Sequence, residues 1–277
     1  MRISVTHRTE YRYASSVYLE PHVIRLRPRE DATQRLLAFT LSIHPHPAGR
    51  CEAVDLDGNS VTRVWFDGVT DRLTLDVRFE VETLRENPFD YVPLPGDADT
   101  PVTYAEALRG PLAPYLGAGH HKEVRALAQD VASECGWRTL DFLTALNRKL
   151  WERTRHVIRP EGAPFAPEHT LAVGEGSCRD QAVLFCAACR AVGLAARFVS
   201  GYEVGAVAEN GGGDMHAWAE VYLQGGGWRG YDASRGLAAA ASHVPVAAAA
   251  DPALAAPVSG SYRGSAASEF TYAVSMK

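Results

Sequence analysis

Three short segments of this 277-residue chain carry side chains able to do covalent chemistry. Gly174-Glu-Gly-Ser-Cys-Arg-Asp180 contains Cys178, Asp214-Met-His-Ala-Trp-Ala-Glu-Val-Tyr222 contains His216, and Trp228-Arg-Gly-Tyr-Asp-Ala-Ser234 contains Asp232. A thiol attacks a carbonyl well only as the thiolate, which calls for an adjacent base and an acceptor that orients that base. Cysteine, histidine and aspartate are the residue types for those three roles, so Cys178 is the candidate nucleophile, His216 the base and Asp232 the orienter.

Each member has a bland reading when taken alone. Cys178 follows Gly174 and Gly176 and opens an apolar helical run in which Ala182, Phe185, Cys189 and Val192 recur before Gly193. A sulfur at such a start meets the first-turn N–H groups and the positive helix end, which favour a thiolate and an oxyanion. Isolated, it would still be a small buried cysteine. A lone His216 is more often structural than catalytic, and Asp232 could be a turn aspartate. The reading changes because His216 opens a strand-like run, Ala217–Leu223, that a Gly225-Gly-Gly227 turn joins to Trp228–Tyr231. Side chains opposed on adjacent antiparallel strands lie within about 5.5 Å, close enough for a hydrogen bond. A zinc site made from the same three residues is disfavoured, because the close ligand spacings of zinc sites are absent.

The elements that must position these residues change character along the chain. Residues 1–95 are β-rich: Ile3, Val5, His7, Thr9, Tyr11 and Tyr13 alternate with polar residues, as do Leu73, Leu75, Val77, Phe79 and Val81. Asp57-Gly58 predicts a hairpin turn between two strand-like runs. Tyr91-Val-Pro-Leu-Pro-Gly-Asp97 reads as a linker. Helical spacing then appears in Val124, Leu127, Ala128, Val131 and Cys135, stopped at Gly136. A second helix is expected with Thr139 as its cap, and 159–168 as a loop. Glycine-rich 209–214 reads as a turn, alanine-rich 237–257 as either a loop or a surface strap, and Phe270, Tyr272 and Val274 as a last strand. The expected organisation is therefore an α+β fold. It has an antiparallel β-sandwich-like domain over 1–95 and a second domain over 96–277 that carries the motif core 174–234.

Composition sets the outer limits. A net charge of -5 argues against nucleic acid as partner, since that needs a basic stripe. No run approaches the roughly 20 apolar residues of a membrane span, and the first residues lack an apolar signal core, so a cytoplasmic location is expected. The five cysteines are scattered rather than framed for disulfides. Cys186-Ala-Ala-Cys189 sits inside the apolar helical run and is expected to supply core residues rather than a redox pair.

The motifs Gly-Ser-Cys-Arg-Asp, His-Ala-Trp-Ala-Glu-Val-Tyr and Gly-Trp-Arg-Gly-Tyr-Asp together resemble the transglutaminase-like superfamily of papain-fold thiol enzymes. Tyr11-Arg-Tyr13, Leu26-Arg-Pro28 and Pro257-Val-Ser-Gly-Ser-Tyr-Arg-Gly264 extend the likeness to bacterial transglutaminase-like cysteine proteases with an N-terminal β domain. Asp232-Ala-Ser234 departs from that group's usual Asp-Pro-Thr. The resemblance implies a helix packed on an antiparallel sheet and a Cys178–His216–Asp232 triad acting on a polypeptide or peptide-like amide through a thioester. It implies no metal and no cofactor. Resolution by water would make a peptidase or amidase, and resolution by a lysine amine a protein-glutamine transglutaminase. Hydrolysis is preferred, because water needs no second site. A catalytically silent binding module of the same fold is the rival from another class, disfavoured because all three residues are present. Trp228 and Tyr231 are the candidates for lining a substrate groove.

Overall fold

The computed structural model describes residues 1–207 and 213–277, so the glycine-rich turn expected over 209–214 falls mostly outside the described residues. The first strand, Arg2–Leu19, alternates buried and exposed residues as its sequence predicts. It pairs antiparallel with Thr70–Thr83 on one side and with Ser268–Met276 on the other. Gln34–His44 adds to the outer edge of Thr70–Thr83. A four-stranded sheet runs in the order Val258–Ser259, His22–Ile24, Ser60–Trp65, Gly49–Val54. Asp57-Gly58 turns between its last two strands, with Gly58 N–H donating to Asp55 O (3.0 Å) and a positive φ at Gly58. Ile3, Val5, Leu75, Val77 and Phe79 of the first sheet share one core with Ile24, Val64 and Phe66 of the second. That is the sandwich-like arrangement expected from the alternation.

The half that carries Cys178, His216 and Asp232 is the expected helix on an antiparallel sheet. The helix Cys178–Ala191 buries Leu184, Phe185, Ala188 and Cys189 against Ala219, Val221 and Tyr231. Its outer flank is covered by two helices, Lys122–Glu134 and Thr139–Arg153, through Val124, Val131, Phe142 and Leu146. Cys186 and Cys189 are buried in this core with their thiol pKa values pushed up by burial, Cys186 to about 12. None of the described helices is long and apolar enough to cross a membrane.

Four local expectations shift. Thr139 is the first helical residue rather than the cap, because its N–H is taken by Ala98 O (2.9 Å) instead of being left to a capping side chain. The expected loop 159–168 ends early, in a helix at Pro167–Val173 that uses Pro167 as its first residue. The alanine-rich stretch is loop only in part, over 239–242 and 250–257. His243–Ala249 is a buried strand paired with Ala196–Val207, with Ala247 and Ala249 in one cluster with Phe198 and Ala248 in another with Trp218. Residues 258–276, which follow the Cys178, His216 and Asp232 motifs in sequence, pair in space with the first strands. A single long sheet therefore joins the two halves, through Gly213 opposite Val274.

The predicted linker is also pinned. Buried Asp97 accepts hydrogen bonds from the backbone N–H groups of Gln224 and Gly225 (2.9 Å each), at the turn between the His216 and Asp232 strands. Any side chain at Gly225 would meet Val92 O at 2.0 Å, which explains that glycine. Asp97→Ala leaves two N–H groups without acceptors and is expected to cost about 1–3 kcal/mol, read as a lower denaturant midpoint at unchanged slope.

Candidate active site

Helix entry sets the position of the cysteine. Gly174 ends the preceding helix in the left-handed conformation (φ 71°) and turns the chain through Glu175–Gly176 into Ser177, the N-cap of the helix that Cys178 begins. Asp180, one turn in, accepts from Ser177 N–H (2.7 Å) and Ser177 Oγ–H (2.6 Å), which closes a capping box. Its negative charge would oppose a thiolate two residues away. That charge is engaged elsewhere: Arg159 Nη1 donates to both carboxylate oxygens (2.9 Å each), and Phe165 N–H donates to Oδ1 (2.7 Å). The same contacts fasten loop 159–166 to the cysteine's helix, with the Arg159 guanidinium 3.6 Å above the Phe165 ring.

His216 and Asp232 meet as hydrogen-bonded neighbours, though not as directly opposed ones. Ala219 stands across from Tyr231, so the register carries Asp232 opposite Trp218 and leaves His216 on the diagonal. Asp232, with no solvent exposure, accepts at Oδ2 from His216 Nε2 (2.6 Å). That leaves Nδ1 as the nitrogen free to serve the thiol. Oδ1 accepts from Ser234 N–H (3.0 Å), Ser234 Oγ–H (2.7 Å) and Arg235 N–H (3.2 Å). The Asp-Ala-Ser turn thus supplies both a backbone and a hydroxyl donor.

Two further imidazoles join the site. His243 Nε2 donates to the same Asp232 Oδ2 (3.2 Å), while its Nδ1 takes the Ser242 hydroxyl (3.1 Å) and Trp218 packs edge-on at 5.0 Å. His156 lines the same cavity as Cys178 from Arg155–His156, a short strand paired parallel with Glu175–Gly176. Sequence reasoning missed both. His243 is a single histidine in an alanine-rich run, His156 an exposed one before a loop, and neither has a local pattern to mark it.

The electrostatics follow from these contacts. Burial pushes the Cys178 thiol up, but the His216 charge and the hydrogen bonds of His156 and His216 outweigh it and bring it down to about 6. Burial lowers the His216 imidazole, and the Cys178 thiolate with the Asp232 hydrogen bond more than reverses that, raising it to about 10. Asp232, despite burial, is held far below the usual carboxylate range by His216 and His243. Between about pH 6 and about pH 10 the pair is thiolate and imidazolium. The residues most suited to a metal are His216, Asp232 and His243, with donor atoms within 4.8 Å of one another. Both imidazoles also meet Asp232 Oδ2 through Nε2, which fixes the orientation of the two rings about the carboxylate.

Two cavities meet at Cys178 and His216. One, of 430 Å³, is walled by His7, Thr9 and Tyr11 of the first strand and by Phe270 and Tyr272 of the last. The other, of 830 Å³, is walled by Phe165, Val183, Phe198 and the 251–257 segment. Trp228 and Tyr231 border neither. Tyr231 is buried and stacks on Phe185 (5.6 Å between centroids), because strand alternation turns it away from the face that carries Asp232. Trp228 shares that face but lies four residues, about 13 Å, along the strand. It packs there on Tyr115 and Tyr222 beneath Arg197.

Family models match on both halves: the bacterial transglutaminase-like N-terminal region over residues 3–82 and the transglutaminase-like superfamily core over 115–233. An uncharacterized protein of Mycobacterium tuberculosis is 30% identical over 231 residues, covering 80% of this chain and 73% of its own length, and one of Mycobacterium bovis matches equally. The chain belongs to the transglutaminase-like superfamily. A crystal structure from Cytophaga hutchinsonii, provisionally described as a cysteine protease, shares the fold of this transglutaminase-like chain. Its TM-score is 0.75 at 20% identity, with 100% of this chain and 90% of that one covered. Cys178, His216 and Asp232 all lie within the matched transglutaminase-like core.

Alkylation of Cys178 by iodoacetamide is expected to rise with pH to half its plateau near pH 6. In His216→Ala the midpoint moves up toward or beyond the ordinary thiol value of about 8.5, because the imidazolium is lost while burial remains. Mass spectrometry of the Cys178 peptide across a pH series measures both.

Proposed function

We propose that this chain is a thiol-dependent hydrolase that cleaves peptide or isopeptide amides through a Cys178 thioester, with Cys178, His216 and Asp232 as its triad. The observation that carries this reading is the buried 2.6 Å hydrogen bond from His216 to Asp232 beside a helix-start thiol whose pKa lies near 6. Superfamily membership supports the same class of chemistry.

In the proposed cycle the Cys178 thiolate attacks the amide carbon, forming a C–S bond and placing negative charge on the oxygen. The positive end of the helix that Cys178 begins favours that charge, and His156, which shares a cavity wall with Cys178, is a candidate side-chain donor to it. As the tetrahedral intermediate collapses, the C–N bond breaks and His216 gives its proton to the departing nitrogen. Neutral His216 then takes a proton from water, whose oxygen attacks the thioester carbon. Collapse breaks the C–S bond, releases the carboxylic acid and restores the thiolate–imidazolium pair. Asp232 holds the ring throughout and stabilises its charged form. Since His216 must be protonated to release the amine, kcat/KM is expected to rise through about pH 6 and fall through about pH 10.

His243 acts here as a positioning residue for Asp232. Replacement by Phe keeps the ring against Trp218 but removes the N–H, and is expected to lower kcat about tenfold with KM little changed. His243→Gln, which restores a donor, should recover most of that loss.

A screen of peptide and isopeptide amides tests the activity itself. A burst of leaving group followed by slower turnover, absent in Cys178→Ala and insensitive to chelators, is the expected outcome. Added amine separates the two fates of the thioester. A hydrolase yields the acid as main product at millimolar amine, whereas a transglutaminase diverts it to the amide. Absence of any Cys178-dependent turnover would overturn the proposal.

A further inference from the structure

The alanine-rich segment ends as one wall of the candidate active site. After the buried strand His243–Ala249, the short turn Pro252–Ala255 carries Ala253 to the rim of the 830 Å³ cavity, and Ala256 follows it there. Phe165, Val183 and Phe198 also line that cavity, which opens directly on Cys178 and His216. Charge is sparse in it. The Arg179 guanidinium at its edge is tied to carbonyl oxygens, Nη2 donating to Arg159 O (2.7 Å) and Glu161 O (2.6 Å). Asp251 caps the short turn by accepting Ala253 N–H (3.0 Å). The 430 Å³ cavity differs in kind, since Arg159, Asp214 and Arg235 border it.

We infer that the 830 Å³ cavity is a subsite for an apolar side chain next to the scissile amide, with Ala253 and Ala256 as residues that set this specificity. Three features argue for that occupant. The cavity is continuous with the nucleophile, so whatever fills it is attached to the reacting amide. Its walls are mainly aromatic and aliphatic, with Arg179, Ser200, Asp251 and Ser259 as the polar exceptions, so an apolar group finds more complementary surface there than an acidic or amide one that must give up its water. Alanine at 253 and 256 keeps the rim short, and the space that remains accommodates a leucine- or phenylalanine-sized group. The substrate class is thereby narrowed to peptide-like amides with an aliphatic or aromatic group beside the cleaved bond. A favourable methylene contact in such a pocket is worth about tenfold or more in selectivity.

This inference rests on the thiol chemistry proposed above, and the test separates the two. Cys178 labelling is followed by mass spectrometry at pH 7 with iodoacetamide, its N-hexyl analogue and an analogue bearing a terminal carboxylate on the same chain. The hexyl reagent is expected to label Cys178 at least tenfold faster than the carboxylate reagent. In Ala253→Asp and Ala256→Asp that ratio should fall several-fold; Ala253 is exposed, so the first variant folds without strain. Fast labelling by all three reagents with no preference overturns the subsite while leaving the activated thiolate standing. Labelling by all three no faster than at exposed Cys51 removes the thiolate, and the subsite proposal falls with it.

Discussion

An ionised carboxylate sealed from solvent costs several kcal/mol unless donors surround it, and in this fold Asp232 is that group. Its partners come from three directions: His216 on the neighbouring strand, His243 from a strand that returns much later, and the Ser234–Arg235 turn that follows it. Each partner commits a segment. The His216 strand must run beside Asp232, the alanine-rich segment must fold back as a buried strand to deliver His243, and the chain must turn sharply after Asp232. The architecture around the site can be understood as what is required to hold that one negative charge.

A second charge receives similar treatment closer to the sulfur. Asp180 closes the helix start at Cys178 by accepting from Ser177, yet its charge is unwelcome beside a thiolate. Arg159 resolves the conflict, since it neutralises Asp180 and ties down the loop that walls the larger cavity. Helix capping, charge balance and cleft shape are thus set by one cluster of contacts.

The N-terminal β unit has a part in this as well. The first strand buries Ile3 and Val5 in the sandwich core, while His7, Thr9 and Tyr11 border the smaller cavity. His7 Nδ1 meets the Tyr202 hydroxyl (2.7 Å), which locks this strand against the catalytic sheet. The return of Ser268–Met276 between the first strand and Gly213 makes the β unit and the thiol-bearing core a single structure. A cleft between two such units is shaped by both.

Much of this was legible from local pattern. Period-two alternation marked the strands of residues 1–81, glycine and helical spacing marked the helix at Cys178, and the Gly225–Gly227 turn implied that His216 and Asp232 are neighbours. These signals work because strand and helix periods, turns and caps depend on residues close in sequence. Where a feature depended on distant contacts, the local signal was silent or misled. Alanine disfavours strands, yet residues 247–249 form one, buried and paired with 198–200. Trp228 and Tyr231 have the composition of a groove, but the register directs both into packing. By itself the sequence singled out Cys178, His216 and Asp232 as candidates for nucleophile, base and orienter, since each sits in a segment whose own pattern suits the role. Only the tertiary structure decided that His243 shares Asp232, that His156 joins Cys178 in one cavity wall and which other walls enclose the thiol. Those contacts join residues 11 and more positions apart, and chain packing rather than local preference brings them together.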